Sequence, residues 1–295
     1  MSLMIALGLM LTIGLGLTLY WGSVAYLTWD PTASPDSDDE APARLPSLTE
    51  SARRYLRGVA VALVGGIWAG ALVTGPAIRL IMRLLAATAG DAAQGRRTEA
   101  DEIVGSIDLD GTFGLYIFGG LLSGLASGFI YLLIRRWLPA GRAGGVVFGL
   151  FHLILLATRI DPLRPDNVDF ALVGPGWLAV LTFGLATIAH GMAVAAIANR
   201  FSRAFPATVA AGNPTPSRVS TILALVPPVL LLIPGFFVLI LLVPGLVFAV
   251  GVLRVTKALE SWRSPRVLRV GRVAGVAIAA VYLPWTVIDL ASIAT

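Results

Sequence analysis

Residues 226–248, VPPVLLLIPGFFVLILLVPGLVF, decide how this chain is threaded through a membrane. The stretch contains four prolines and no charge, and it belongs to a run of 35 uncharged residues between Arg218 and Arg254. A single helix of that length would measure about 52 Å, whereas the hydrocarbon core of a bilayer is about 30 Å thick. The run is therefore too long for one membrane crossing.

The composition of the chain indicates a membrane protein. Of its 295 residues, 57% are hydrophobic and only 13% are charged, and the mean hydropathy is +0.83. Soluble domains contain about 45–50% apolar and about 25% charged residues. The chain has no cysteine, which excludes disulfides, thiol nucleophiles and cysteine-ligated metals. We therefore expect an all-α, polytopic integral membrane helix bundle.

The basic residues indicate which loops lie in the cytoplasm. Segments 200–218 and 254–272, which flank the uncharged run, carry three and six Arg or Lys residues. Loops rich in these residues stay on the cytoplasmic side, so both flanks are predicted to lie inside, and the run must enter the membrane and return. It does so either as a short hairpin that turns at Pro234–Gly235 or as a re-entrant pair.

Alternation outward from this run gives about eight membrane segments when the run is counted as two. It places 16 of the 22 basic residues inside and both termini on the outer side of the inner (cytoplasmic) membrane of the cell. The predicted segments are 3–27, 58–75, 111–134, 143–158, 177–199, 219–253 and 273–293.

The chain divides into three predicted regions. Residues 1–28 form an N-terminal membrane anchor helix, and residues 53–295 form the transmembrane helical bundle. Residues 29–52 form a cytosolic linker, which contains the acidic, proline-rich stretch DPTASPDSDDEAPARLP and is too polar to build a core. At its end, the sequence SLTE from Ser47 to Glu50 is a capping box, which predicts a helix start just before the second span.

The chain has two histidines, and both lie within predicted spans. His152 and His190 are each ten residues from an arginine at the inner end of their spans, which is about 15 Å of helix. Two imidazoles at one level on neighbouring helices could be hydrogen-bonded across the interface, could relay protons, or could ligate one haem b iron. The haem alternative requires a flat slot, which small residues would provide: Gly145, Gly149 and Ala186. No zinc site is expected, because no cysteine or carboxylate stands near enough in the sequence to complete its shell.

Four residues are candidates for transport or ion coupling. Pro227, Pro228 and Pro234 break the helices of the uncharged run, and each break frees carbonyl groups that could coordinate a cation or a polar headgroup. Asp289 is the one carboxylate inside a hydrophobic run, and it is expected near the outer surface, where it could pair with an outer arginine.

The outer loops contain a second group of candidates. The pair Gly75–Pro76 predicts a helix break, which would place Arg79 and Arg83 outside the membrane. Together with Arg159 and Asp161 of the next outer loop, these arginines could recognise the polar head of a solute. The alternative is that all these charges are solvated and paired with one another.

The segment RSPRVLRVGR is a candidate for contact with lipid headgroups. Its four arginines, Arg263, Arg266, Arg269 and Arg272, recur every third residue just before the last span. Such juxtamembrane basic segments bind anionic lipid headgroups on the cytoplasmic side, so we expect that role here.

Glycines recur every fourth residue in three of the spans, and this spacing predicts close helix packing. They are Gly66 and Gly70, Gly120, Gly124 and Gly128, and Gly145 and Gly149. Small residues let helix backbones approach closely in lipid. The contacts could lie within one chain, between copies of a homo-oligomer, or against partner membrane subunits.

The sequence leaves three functions open. The first is a carrier or channel for a small or lipid-like solute, which would use the proline-broken helices. The second is a non-catalytic structural or assembly subunit of a larger membrane complex. The third is a single-haem, bis-histidine electron-transfer subunit. No paired carboxylates and no serine–histidine arrangement stand at a catalytic spacing, so neither an enzyme nor a nucleic-acid-binding protein is expected.

Overall fold

A computed structural model of the chain describes residues 2–22, 48–204 and 265–295. The predicted hairpin at 219–253, with its candidate prolines Pro227, Pro228 and Pro234, lies outside the described residues, and so does Arg263.

The described ranges are helical, and they contain no β-strand apart from an isolated bridge between Arg97 and Ile103. Their α-helices are α1 (Ser2–Gly22), α2 (Leu48–Ala69), α3 (Gly75–Thr88), α4 (Leu109–Leu115), α5 (Ser123–Ile134), α6 (Arg142–His152), α7 (Asp169–Leu172), α8 (Gly176–Ala204) and α9 (Pro265–Ala294). The chain also has three π-helical segments in the described ranges. The first, Gly70–Thr74, joins α2 to α3; the second, Tyr116–Leu122, joins α4 to α5; and the third, Leu153–Ala157, extends α6.

Five helical stretches of the described chain are long and apolar enough to cross a membrane. They are Ser2–Gly22, Ala60–Thr88, Leu109–Ile134, Gly176–Ser202 and Pro265–Ala294, and Arg142–Ala157 is a shorter apolar helix. These six stretches correspond to the six predicted segments that lie in the described ranges. The prediction of an all-α chain suited to a membrane helix bundle is therefore confirmed for the described residues.

The second membrane helix corrects one prediction. The chain does not break at Gly75–Pro76 but continues as helix to Thr88. The π-helical segment before α3 explains this, because the N–H of Gly75 bonds the carbonyl of Gly70, five residues back, and Pro76 then occupies the first turn of α3. A proline is tolerated there because its missing N–H has no helical role. Arg79 and Arg83 consequently lie on a helix inside a membrane-length stretch.

Helix α8 is at the centre of the bundle. It packs against α1, α2, α5, α6 and α9, and its contacts with α6 and α2 are the most extensive. The largest side chains that these helices bury are apolar and include Ile67, Phe148 and Ile197. Helix α1 packs against α3 and α8, so the predicted N-terminal anchor is part of the same bundle.

Glycines bring the helix backbones into direct contact. A side-chain carbon at Gly66 would overlap the carbonyl of Gly124, and one at Gly70 would overlap the carbonyl of Gly120. On the other side of the bundle, a carbon at Gly149 would overlap the backbone of Ile188 in α8. The predicted glycine contacts are therefore made between helices of one chain, which was the first of the three alternatives.

Two long loops meet at one end of the bundle, which we call the loop face (residues 89–108 and 158–175). Arg164 forms an ion pair with Glu99 at 2.6 Å, and the Glu99 N–H donates to Asp169 at 2.7 Å. The charge pattern predicted that both loops lie on one side of the membrane, and their contacts agree with that. At the opposite end, Arg142 donates to the carbonyl of Leu19 at 3.0 Å, so α1 ends beside the start of α6.

Candidate functional site

The two histidines face each other inside the bundle. His152 is the last residue of α6 and His190 lies in α8, and their ring centroids are 5.9 Å apart at an interplanar angle of 74°. The exposed fractions of the two residues are 6% and 5%. The prediction that the histidines lie at one level on neighbouring helices is confirmed, and solvent reaches neither ring to a significant extent.

Local backbone geometry brings the rings together. Gly149 and Gly191 lie in direct backbone contact, which holds α6 against α8 one turn from the histidines. The α-helix changes to π-helix immediately after His152, and the π-helical segment of the second membrane helix ends at Thr74, beside His190. Such π-helical turns occur frequently at functional sites, where they redirect side chains and carbonyls.

Hydrogen bonds fix the tautomer of His152. Its Nδ1 lies 3.0 Å from the carbonyl oxygen of Phe148, which can only accept, so the ring donates from Nδ1. In the neutral ring Nε2 is then an acceptor, and the hydroxyl of Ser127 donates to it at 2.9 Å. Both nitrogens of the His152 ring are thus hydrogen-bonded, Nδ1 to its own helix and Nε2 to Ser127 of α5.

His190 has only one of its two nitrogens in a hydrogen bond. Its Nδ1 lies 2.6 Å from Oγ1 of Thr74, whereas Nε2 is buried and has no hydrogen-bond partner among the described residues. A buried polar atom without a partner costs free energy, and such atoms need an explanation in a native structure. The free Nε2 is the unusual feature of this site.

The rest of the site is apolar. The ring of Phe148 contacts His152 edge-on at 4.4 Å between centroids, and the ring of Phe151 lies 6.2 Å away. Among the described residues, no carboxylate or guanidinium forms an ion pair or hydrogen bond with either imidazole. The hydroxyls of Ser127 and Thr74 are the polar groups that accompany the pair. In the described ranges no three His, Asp or Glu side chains lie close enough to hold a metal ion.

The geometry does not favour the haem alternative. The flat slot was expected beside Gly145 and Gly149, but α6 and α8 touch backbone to backbone at both glycines. In addition, Nε2 of His152, the nitrogen that would bind the iron, is already hydrogen-bonded to Ser127. The haem hypothesis stays a prediction of the sequence, and we do not carry it forward.

Asp289 pairs with an outer arginine, which was one of the two roles expected for it. Its carboxylate lies 3.6 Å from the guanidinium of Arg159, and the side chains are 23% and 29% exposed. Arg159 also lies over the ring of Tyr282, at 5.2 Å from the ring centroid. These contacts hold α9 against the end of the short membrane helix, and Asp289 is not in contact with the histidines.

The four predicted polar-head residues make separate contacts. Arg83 is exposed and donates to the carbonyl of Gly105 at 3.0 Å, and Arg159 is paired with Asp289. Asp161 lies in the loop face, where the surrounding loops partly exclude water from its carboxyl and raise its pKa, although neighbouring Arg164 lowers it. Arg79 is buried. Among the described residues no ion pair or hydrogen bond joins these four side chains to one another, and their recognition of a polar head stays a prediction.

The predicted lipid-contact arginines begin the last membrane helix. Arg266, Arg269 and Arg272 lie in the first turns of α9 and are exposed. Gly271, between them, lies against the indole ring of Trp137 in the 135–141 loop. These arginines are therefore at the end of the bundle opposite the loop face, and their contact with anionic lipid stays a prediction.

Two site residues were not identified as functional from the sequence. They are Ser127, in the predicted span 111–134, and Thr74, near the end of the predicted span 58–75. Hydroxyl side chains inside a hydrophobic run are a weak signal, because most of them bond their own helix, as Thr182 does with the carbonyl of Leu178 at 2.7 Å. Only the packing distinguishes Ser127 and Thr74.

Comparisons of the chain with protein-family models, with curated proteins and with solved structures gave no match. The chemistry of the site therefore has to be argued from its geometry.

Proposed function

We propose that the protein is a membrane carrier for a small solute and that a proton binds and leaves at the His152–His190 pair during transport. The observation that carries this proposal is the buried Nε2 of His190, which has no hydrogen-bond partner although it lies in the middle of a membrane-length bundle. Ionisable residues inside membrane spans are costly, and they usually mark substrate, ion or proton pathways.

The chemistry of the pair suits proton exchange. Imidazole has an ordinary pKa near neutrality, and each ring nitrogen can either donate or accept. The hydroxyls of Ser127 and Thr74 can do both as well, so each ring has a neighbour through which a proton can pass. No carboxylate among the described residues is in contact with the pair, so a bound proton has no fixed counter-charge there.

The close packing supports a carrier rather than an open channel. Both rings are almost completely shielded, and the helices around them touch at glycines. A proton can therefore reach the pair only if the helices change their packing, as they do when a carrier alternates between its two sides. The prolines Pro227, Pro228 and Pro234, which lie outside the described residues, stay predicted elements of such a movement.

The proposal is tested by recording currents from the purified full chain on a solid-supported membrane. We expect transient currents when the pH is stepped and when acetate, succinate, inorganic phosphate or glucose is added. His190→Gln should reduce these currents at least about tenfold, because glutamine fills similar space but does not titrate. Thr74→Val should reduce them as well, since it removes the hydrogen-bond partner of His190.

Thr182→Val is the matched control, because its hydroxyl bonds only its own helix. It should leave the currents unchanged. If the wild-type protein gives no current with any of these steps, or if His190→Gln and His152→Gln give wild-type currents, the proposal is wrong.

The subunit hypothesis receives less support. It depended on glycine-lined faces that dock onto a partner, and within the described residues these glycines contact the chain's own helices. Homo-oligomers and partner subunits stay predictions, which mass measurement of the native purified protein addresses directly.

We also propose the orientation that the basic residues predict, with the loop face outside the cell membrane. Because the chain has no cysteine, single cysteines report accessibility without background. Ala100→Cys and Pro165→Cys, both at exposed positions of the loop face, should react in intact cells with a thiol reagent that does not cross membranes. Ala140→Cys, exposed at the opposite end, should react only after the membrane is opened. The reverse pattern would invert the orientation.

A further inference from the structure

Arg79 is a buried arginine that has no side-chain partner in the part of the chain that the structure describes. It lies in α3 within the stretch Ala60–Thr88, it is 9% exposed, and its Nε and Nη2 are buried without a hydrogen bond. No carboxylate of the described residues forms an ion pair with it. A guanidinium stays charged at any physiological pH, so two of its donors are held away from water without an acceptor or a counter-charge among the described residues.

Other arginines at this end of the bundle do have partners. Arg97 pairs with Asp101, Arg159 with Asp289, and Arg164 with both Glu99 and Asp166. Arg83, one turn after Arg79, donates to a carbonyl. The described part of the chain therefore supplies acceptors to these four arginines and none to Nε and Nη2 of the buried one.

The two free nitrogens define what would fit. Nε and Nη2 form one edge of the planar guanidinium, and their N–H bonds point in parallel. Carboxylate and phosphate groups accept such a pair of hydrogen bonds with two of their oxygens. A neutral hydroxyl or amide could occupy only one of the two donors and would leave the charge unbalanced.

The position of Arg79 connects it with the histidine pair. It is one turn beyond Gly75, which packs against the ring of Tyr116, so it lies on a face turned toward another helix. It is five residues from Thr74, the partner of His190, which is about 7.5 Å of helix rise, and nine residues from the end of α3 at Thr88. Arg79 is therefore between the histidine level and the loop face.

We propose that Arg79 binds the oxyanion group, a carboxylate or a phosphate, of the molecule that the protein carries. This inference rests on the proposed function for the helix movement that opens the site, and it adds the chemical class of the substrate. The oxyanion belongs either to a free solute or to the headgroup of a phospholipid.

The experiment measures the thermal unfolding of the full chain in dodecyl maltoside, an uncharged detergent, by tryptophan fluorescence. The probes are inorganic phosphate, succinate and phosphatidylglycerol, each compared with chloride at equal ionic strength. A probe at about a hundred times its Kd should raise the Tm of the wild-type protein by about 5 °C. Arg79→Gln should abolish this rise, and Arg79→Lys, which keeps the charge but not the two-pronged edge, should retain at most about half of it.

Arg83→Gln is the matched control, because Arg83 is an exposed arginine one turn away. It should keep the full rise in Tm. Without any probe, Arg79→Gln should unfold at the wild-type Tm or above it, since it removes an uncompensated buried charge. A rise with phosphate or succinate identifies a free solute, and a rise with phosphatidylglycerol alone identifies a lipid headgroup.

The proposal is overturned if no probe raises the wild-type Tm more than chloride does. It is also overturned if Arg79→Gln or Arg79→Lys responds like the wild type, or if Arg83→Gln loses the response as well. Binding in detergent needs no transport, and His190→Gln should still bind the oxyanion. Failure of proton exchange at the histidines and failure of this site are therefore distinguishable.

Discussion

Replacement of Gly66 by alanine is expected to lower the stability of the bundle strongly, because α2 and α5 touch backbone to backbone at this glycine. The added carbon would overlap the carbonyl of Gly124, and the Cα of Gly128 also lies close to it. A side-chain end can rotate away from such a clash, but a backbone cannot, so α2 and α5 would have to separate. Overpacking of this kind costs about 1–3 kcal/mol, and contact with rigid backbone places Gly66 at the upper end.

Thermal unfolding in detergent and size-exclusion chromatography measure this effect. We expect Gly66→Ala to lower the Tm by about 5–10 °C, and Gly66→Leu to prevent recovery of a monodisperse protein. Gly184→Ala is the matched control, because Gly184 lies in membrane helix α8 and a carbon there meets nothing within 4 Å. It should leave the Tm unchanged or slightly raised. A Gly66→Ala protein with the wild-type Tm would contradict the packing described.

Asp289→Asn is also expected to lower the stability of the bundle, because it leaves the guanidinium of Arg159 without its anion. The two side chains are only 23% and 29% exposed. Removal of one partner should therefore cost more stability than at a surface ion pair and less than at a fully buried one. We expect a loss of about 1–2 kcal/mol, seen as a lower Tm, and a larger loss for Arg159→Ala, which also removes the contact with Tyr282.

The exposed pair Arg97–Asp101 provides the control for this prediction. Its side chains are 61% and 79% exposed at a separation of 2.8 Å, so Asp101→Asn should change the Tm by less than the error of the measurement. The exchange Arg159→Asp with Asp289→Arg should recover part of the loss if the charge pair itself is responsible. Equal effects of Asp289→Asn and Asp101→Asn would show that the pair does not stabilise α9.

The sequence was sufficient to identify the helices and the histidine pair. The predicted spans 111–134, 143–158 and 177–199 agree with the observed helical stretches to within three residues, because a membrane span needs a long apolar run. Counting from the arginine anchors placed His152 and His190 at one level. The pairing of Asp289 with an outer arginine followed from the same reasoning, because a carboxylate near the end of a span needs a nearby cation.

The helix break at Gly75–Pro76 was predicted wrongly, and the reason is local. The pair Gly75–Pro76 normally indicates a helix end. Here a π-helical segment precedes the pair and Pro76 lies in the first turn of α3, where a missing N–H is tolerated, so the helix continues. A π-helical turn depends on which carbonyls the neighbouring helices leave free, and composition does not encode that. The partners Thr74 and Ser127 escaped notice for a related reason, since only the crossing of three helices gives their hydroxyls a function.

The π-helical segment Gly70–Thr74 also determines how the side chains after it are rotated about the helix axis relative to those before it. An α-helix advances about 100° per residue, and a π-helical turn holds one residue more than an α-helical turn. The residues that follow the turn are therefore rotated by about that angle relative to those that precede it. In an uninterrupted α-helix of the same sequence, hydropathy and span length would be unchanged, but Arg79 would lie about 100° around the helix axis from the position that it now holds relative to Gly66.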